Sequence, residues 1–273
     1  MSVRFGLDVA QQRLEWDEIL DRVRLAERLG FDGIWTFDHF KAMYGEGPGN
    51  CFEAWTTMAA LAAATERVRI GCLVSGLTYR HPSVLAAQAV TVDHVSHGRL
   101  ELALGAGWFE QEHVELGIPF PPTGERVARF EEALQVIRLL MTDDDVSFDG
   151  HHFQLRGATY HPRPLQDPMP PLWIGAAGPR MLGVAARHAD VWHTFGPPQH
   201  VKRLGEEVAA KAARAGRDPS EIAWASNLSI SEPWDEVRRN VDGYTEAGVS
   251  YLVTSWPGEG AGRVEEFAAE FLS

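Results

Sequence analysis

An aspartate and a histidine stand side by side directly after the short apolar segment Gly33–Phe37. A histidine side chain has an ordinary pKa of about 6.5, so His39 could donate or accept a proton near neutral pH. Asp38 could orient that histidine or accept a hydrogen bond from a neighbouring loop. The pair predicts an acid–base site, and the alternative is that it only caps the following loop.

The segment Gly175–Arg180, with the sequence GAAGPR, lies between an apolar run and a helical pattern. Small residues let a backbone approach an anion, and a helix N-terminus offers unpaired N–H groups and a favourable dipole. Arg180 adds a positive charge. The segment predicts a phosphate site, and the alternative is an ordinary tight turn.

Gly105 and Gly107 form half of a dinucleotide-binding fingerprint, but Glu110 stands where a third glycine is needed. The pattern therefore favours close approach of the backbone to a flat ring over a Rossmann site. The chain contains no nucleophile elbow, no P-loop and no HExxH motif. Its two pairs of histidines are explained by a helix end and a hairpin, so we predict no metal site.

Eight short apolar segments, each followed by a longer amphipathic one, must position these residues. The predicted strands are Val3–Val9, Gly33–Phe37, Arg69–Val74, Leu100–Leu104, Leu172–Gly175, Asp190–Thr194, Ile222–Ser229 and Tyr251–Ser255. Eight βα units in 273 residues favour a single-domain (β/α)8 TIM barrel over residues 1–273. The alternative fold is a doubly wound open sheet.

The alternation is interrupted between the fourth helix and the fifth strand. Residues 146–171 contain a predicted hairpin that turns at Asp149-Gly150, and several prolines follow it. We interpret this segment as an insertion into the α/β barrel. A long loop, Gly105–Gly124, is expected before the fourth helix.

The carboxyl ends of the strands of a barrel meet at one mouth, where the active sites of such folds lie. The polar residues and glycines predicted at that mouth are Asp8, Asp38, His39, Ser75, Gly105, Gly107, Gly175, Gly178, His193, Thr194, Asn227 and Ser255. Such residues at the ends of apolar segments are typical of a ligand-binding cavity.

Composition excludes several classes of protein. The formal net charge of −13 argues against nucleic acid as a partner, and two cysteines exclude a disulfide scaffold. No apolar run reaches the roughly 18–20 residues that span a bilayer, and the N-terminus resembles a strand rather than a signal peptide. We therefore expect a cytoplasmic protein without a membrane partner. The predicted helices Phe52–Thr65 and Pro82–Ser96 carry few charges, which favours a homodimer.

Three stretches resemble a known family: FDGIWTFDHF at 31–40, VRIGCLVSGLTYRHPSVLAAQAVTVDHVSHGRLELALGAGWFEQEH at 68–113, and PPLWIGAAGPRMLGVAARHADVWH at 170–193. They are similar to the bacterial luciferase-like monooxygenase superfamily, above all to its branch of coenzyme F420-dependent oxidoreductases. The Asp-His pair after the second strand favours F420 over flavin mononucleotide (FMN) within this resemblance.

The resemblance implies a homodimeric barrel that holds the deazaflavin F420 at its mouth and transfers a hydride between it and a small organic substrate. It implies a catalytic His39 near the reacting carbon and contact of Asp38 with the cofactor ring. The other cofactor-binding residues that it implies are Leu73 and Val74 in a bulge, often with a cis peptide, behind the ring; Ala106, Gly107 and Trp108 along the ring or tail; and Ala176, Ala177, Gly178, Pro179 and Arg180 at the phosphate.

One position departs from the family pattern. The sugar-phosphate dehydrogenases of this branch carry a glutamate where this chain has Trp108, which argues against glucose 6-phosphate and favours a more apolar substrate. An FMN-dependent monooxygenase and an F420-binding protein without turnover are the alternative functions. The anionic tail of F420 would need a cationic rim, for which the candidates are Lys41, Arg80, His81, Arg163 and Arg180.

Overall fold

Eight parallel strands close into a barrel in the computed structural model, which describes residues 3–272. The strands in chain order are β1 Arg4–Asp8, β2 Gly33–Thr36, β3 Arg69–Cys72, β4 Ser75–Gly76, β5 Leu100–Gly105, β6 Val146–Asp149, β7 Gln154–Ala158, β8 Leu172–Gly175, β9 Val191–Thr194, β10 Ala223–Leu228 and β11 Tyr251–Ser255. The barrel order is β3-β2-β1-β11-β10-β9-β8-β5, and pairing of Ile70 with Leu100 closes the ring. The predicted TIM barrel is confirmed.

The helices surround this barrel. They are α1 Trp16–Leu29, α2 Ala54–Ala63, α3 Pro82–Val95, α4 Glu110–Leu116, α5 Thr123–Thr142, α6 Pro179–His188, α7 Pro198–Arg214, α8 Trp234–Glu246 and α9 Ala261–Phe271. Helix α1 ends at Gly30, whose φ of 88° suits a residue without a side chain. Helices α3, α6 and α7 begin at a proline, which has no N–H to leave unpaired. None of the helices over residues 3–272 is long and apolar enough to cross a membrane.

The insertion is confirmed, and the expected loop is partly wrong. Strands β6 and β7 form an antiparallel hairpin between α5 and β8. The segment Gly105–Gly124, predicted as a loop, contains α4. This helix buries the polar residues Glu112 and His113 rather than an apolar stripe, so hydrophobic periodicity gave no signal for it.

Three aromatic side chains fill the middle of the barrel. The ring of Trp173 lies 4.6 Å from that of Trp35 and 5.0 Å from that of Tyr251, between ring centroids. A side chain at Gly6 or Gly71 would collide with Trp35, so both strands carry glycine where this indole crosses the barrel. The packed interior leaves the carboxyl ends of the strands as the place for a cavity.

Candidate active site

A cavity of about 800 Å³ opens at the carboxyl ends of the strands, where the sequence placed the mouth. All eight barrel strands, or the residues directly after them, contribute to its wall. The lining residues include Asp8, Asp38, His39, Leu73, Val74, Ala106, Gly107, Trp108, Ala176, Ala177, His193, Thr194, Phe195, Asn227 and Ser255. Most of the predicted site residues are thus brought together in one cavity.

His39 is held by a carboxylate that the sequence did not identify as its partner. The Nδ1 atom of His39 lies 3.0 Å from Oε2 of Glu112, on α4. Glu112 is fully buried, and its other oxygen accepts hydrogen bonds from the backbone N–H groups of Phe40 at 2.8 Å and Lys41 at 3.1 Å. The hydroxyl of Tyr79 donates to Oε2 at 2.5 Å. One buried carboxylate therefore ties α4 to the loop that carries the histidine.

This arrangement decides which nitrogen of His39 can exchange a proton. Burial alone would raise the pKa of Glu112, but hydrogen bonds from His39, Tyr79 and the N–H of Phe40 outweigh it and hold the pKa below its ordinary value. Burial and the bond to Glu112 raise the pKa of Tyr79, so its hydroxyl stays protonated and donates. The ionised Glu112 can only accept, so Nδ1 of His39 carries hydrogen. Nε2 is left to act on a bound molecule.

Asp38 is also buried and already has partners. It accepts hydrogen bonds from both terminal nitrogens of Arg80 and, at 3.0 Å, from the N–H of Gly76. Arg80 pairs with Glu53 as well, at 3.0 Å. The expectation that Arg80 belongs to a solvated cationic rim is wrong, because two carboxylates hold it in a largely buried position. Asp38 lines the cavity, and its charge is compensated by Arg80, which does not line it.

Leu73 and Val74 form the break between β3 and β4, and the peptide bond that joins them is cis. The side chain of Val74 projects between the ends of β5 and β8. A Cβ added at Gly105 would lie 2.6 Å from Val74 Cγ2, and one added at Gly175 would lie 3.2 Å from Val74 Cγ1. Both glycines therefore make room for this valine at the floor of the cavity.

The segment predicted to bind phosphate begins α6. Gly178 is its N-cap, and the first backbone N–H groups of the helix have no partner within it. A Cβ at Gly178 would meet nothing within 4 Å, so open space lies beside this backbone. Arg180 is exposed and extends towards Gly124, at the start of α5.

The opposite side of the cavity holds polar groups that the sequence located at strand ends without assigning them a role. Burial raises the pKa of Asp8 to about 6, although the N–H of Ala10 and the charge of Arg22 oppose that shift. Burial also lowers the pKa of His193 to about 4, so this imidazole is neutral at pH 7. Its Nε2 lies 2.6 Å from Oδ1 of Asn227.

Aromatic side chains surround the entrance. Tyr44, Trp108 and Phe195 are 68%, 67% and 65% exposed, and all three line the cavity. The ring centroid of Trp108 lies 5.8 Å from that of His39. Large exposed apolar groups beside a cavity are typical of a binding site.

The other predicted rim cations are mostly engaged elsewhere. Lys41 pairs with Glu115 at 2.5 Å, and Nδ1 of His81 accepts a hydrogen bond from the N–H of Ser83. The prediction for Arg163 is wrong. Its backbone carbonyl contacts His94 near the end of α3, which places it at the amino-terminal end of the barrel strands.

Comparison with known proteins agrees with this architecture. A family model described as luciferase-like monooxygenase matches residues 1–269. An F420-dependent glucose-6-phosphate dehydrogenase from Microbacterium testaceum is 32% identical over 235 residues, which cover 85% of this chain and 69% of that protein. An FMNH2-dependent dimethylsulfone monooxygenase from Pseudomonas putida is 31% identical over 220 residues, which cover 79% of this chain and 60% of that protein.

A solved structure shares the fold. It is an F420-dependent secondary alcohol dehydrogenase in complex with an F420-acetone adduct. It superposes with a TM-score of 0.87 at 21% sequence identity and covers 98% of both chains.

Proposed function

The chain belongs to the luciferase-like monooxygenase family, and from this premise we propose that it is an F420-dependent oxidoreductase acting on a small organic substrate. Several relatives are named as F420-dependent dehydrogenases. The observation that carries the proposal is the buried pair of Glu112 and His39 beside a cavity of about 800 Å³. That pair presents one defined nitrogen for proton transfer.

The residues at the mouth fit a flat ring with a phosphate-bearing tail. The glycines at 105, 107 and 175 keep side chains away from the floor, and the open space beside Gly178 lies next to a helix N-terminus. We propose that Leu73, Val74, Ala106, Gly107 and Trp108 contact the ring or tail. Asp38 would contact the ring, and Ala176 to Arg180 would hold the phosphate. Coenzyme F420, when bound, would supply a ring carbon that accepts or donates a hydride.

His39 would then handle the proton that accompanies the hydride. In the oxidation of an alcohol, Nε2 accepts the hydroxyl proton, and in the reduction of a carbonyl group it returns a proton to the oxygen. Glu112 keeps Nδ1 protonated throughout, so the imidazole is not free to change tautomer. The hydroxyl of Tyr79 donates a second hydrogen bond to the Glu112 oxygen that contacts His39, and so helps to fix the position of the carboxylate.

A titration followed by fluorescence tests the cofactor. We expect the purified protein to bind F420 more tightly than FMN, with a preference that decreases as ionic strength rises because Arg180 is exposed. His39→Asn should keep F420 affinity and lose the oxidation of reduced F420 by a panel of ketones and imines. Tighter binding of FMN at low salt would refute the proposal in favour of an FMN-dependent monooxygenase, the function named for the Pseudomonas putida relative. F420 binding without turnover across the panel would favour a carrier protein.

We also propose that the protein is a homodimer. The outward surfaces of α2 and α3 carry no charged residue that is exposed, and Val84 and Val95 are 52% and 37% exposed. Two neighbouring uncharged helix faces suit a self-complementary interface. Cys51 and Cys72 are both free thiols, which suits the cytoplasm as the compartment.

A further inference from the structure

The wall of the cavity has two halves with different chemistry. The residues proposed for the cofactor follow β2, β3, β5 and β8. The other half, which we call the substrate half, follows β9, β10, β11 and β1, four strands that are neighbours in the barrel. Its residues are His193, Thr194, Phe195, Asn227, Ser255 and Asp8.

The substrate half contains polar groups without partners. Oδ1 of Asp8 accepts a hydrogen bond from the N–H of Ala10 at 2.8 Å, and Oδ2 has no partner among residues 3–272. Thr194 is 98% buried, and its hydroxyl oxygen has no hydrogen-bond partner in the described part of the chain. An unpaired polar atom is costly where it is buried, as the Thr194 hydroxyl is. Oδ2 of Asp8 is not buried in this way, and as an acceptor without a partner on the cavity wall it is free to bind a ligand.

The cavity wall carries two carboxylates, those of Asp8 and Asp38. Within the described range, no lysine or arginine lines the cavity. Arg80 compensates Asp38 from behind, and His193 is neutral because burial lowers its pKa to about 4. Asp8 makes no ion pair within the part of the chain that the structure describes. Arg22, whose charge acts on Asp8, pairs with Glu18 and does not line the cavity, so Asp8 leaves negative charge on the wall of the substrate half.

We propose that Asp8 determines substrate specificity, and that the substrate is an apolar molecule with a hydroxyl or amino group besides its reacting centre and no anionic group. Asp8 Oδ2 accepts a hydrogen bond from that group, while Phe195 packs against the apolar body. A phosphate or carboxylate placed here would lie near a negative charge, and no lysine or arginine of the cavity wall would reach it. The inference rests on the proposed function for the reaction, but the charge preference belongs to the cavity itself.

The expected preference for substrates without an anionic group distinguishes this chain from several of its relatives in sequence. Several of them are named as glucose-6-phosphate dehydrogenases. A sugar phosphate carries two negative charges near neutral pH and is normally bound by arginine or lysine. Glucose 6-phosphate should therefore not be a substrate of this protein.

Three small probes of similar shape test the inference: benzylamine, benzyl alcohol and phenylmethanesulfonate. Their affinities are measured by ligand-observed NMR at pH 7.5, both with F420 bound and on the protein alone. We expect the cation to bind at least as well as the alcohol and the sulfonate to bind most weakly. Asp8→Asn should weaken benzylamine and strengthen phenylmethanesulfonate by about tenfold each, as removal of one nearby charge requires. The asparagine keeps an oxygen for the N–H of Ala10.

Asp17→Asn is the matched control, because it removes the same charge from an exposed position on α1. It should change none of the three affinities. If Asp8→Asn does not fold, the salt dependence of the wild-type protein decides: added salt should weaken benzylamine and strengthen the sulfonate.

Equal affinities for the three probes, or turnover of glucose 6-phosphate, would overturn the inference. The fluorescence titration distinguishes its failure from failure of the proposed function. A protein that does not bind F420 but still ranks the probes by charge refutes the cofactor and supports the role of Asp8.

Discussion

Asp8 should make the protein less stable at neutral pH than an asparagine at the same position. Burial raises the pKa of Asp8 from 3.8 to about 6 in the folded protein. The folded state therefore binds this proton more tightly than the unfolded state, and ionisation of Asp8 opposes folding. The stabilisation by the protonated form is fully present below pH 3.8 and is lost as the pH rises through about 6.

The size of the effect follows from the shift. A difference of about two pKa units corresponds to about 3 kcal/mol at 1.36 kcal/mol per unit. Asp8 is only partly buried at the cavity wall, so solvent reduces this value, and we expect ~1–3 kcal/mol. The free energy of unfolding of Asp8→Asn, relative to wild type, should rise by that amount between pH 4 and pH 7.5.

Urea unfolding of the protein without cofactor, at half-unit pH intervals from 4 to 8, measures this difference. Asp17→Asn is the control, because it removes an exposed carboxylate that does not line the cavity. A flat curve for Asp8→Asn would mean that water reaches the carboxylate freely, and the reasoning from burial would be refuted. A mutant that becomes less stable than wild type as the pH rises would mean that the charge of Arg22 outweighs burial in setting the pKa of Asp8.

Three further predictions concern the cofactor, the acid–base pair and the interface. Gly178→Val should weaken F420 binding in the fluorescence titration more than Arg180→Ala, because its side chain would fill the open space beside the helix N-terminus; the reverse order would show that charge dominates. Folding should tolerate the valine, since Gly178 has a φ of −80° and no atom near its added Cβ. Glu112→Gln should lower kcat by ~10–100-fold, leave KM within about threefold and move the pH profile of kcat, whereas an unchanged profile would reduce Glu112 to a structural role. Wild-type protein should scatter light as a dimer at micromolar concentration, and Val84→Glu with Val95→Glu should give monomers; a monomeric wild type would contradict the proposed interface.

The barrel was predictable because its strands are apolar runs that end in glycine or polar residues. The same periodicity located the mouth, since parallel strands in a barrel share one carboxyl end. Asp8, His193 and Asn227 were therefore placed correctly at the mouth, but no local pattern distinguishes a strand end that pairs with a neighbour from one that faces a cavity.

The partners of the site residues were not predictable from spacing. Glu112 lies 73 positions from His39, on a helix whose buried side chains are polar. Arg80 was expected to be a solvated cation, because the sequence does not show that Asp38 and Glu53 converge on it from two other segments. Such contacts depend on tertiary packing, which single-sequence patterns do not encode.

The side chain of Val74 restricts which residues can occupy positions 105 and 175. Alanine at residue 105 would collide with Val74 Cγ2, and alanine at residue 175 would crowd both of its methyl groups. Alanine at residue 105 therefore requires Val74 to move or to become smaller, whereas alanine at residue 175 requires only a small shift. A smaller residue at 74 first leaves a gap that destabilises the cavity floor. Each single step at residues 74 and 105 is therefore unfavourable. Residues 74 and 105 should therefore change together in the course of this family's divergence.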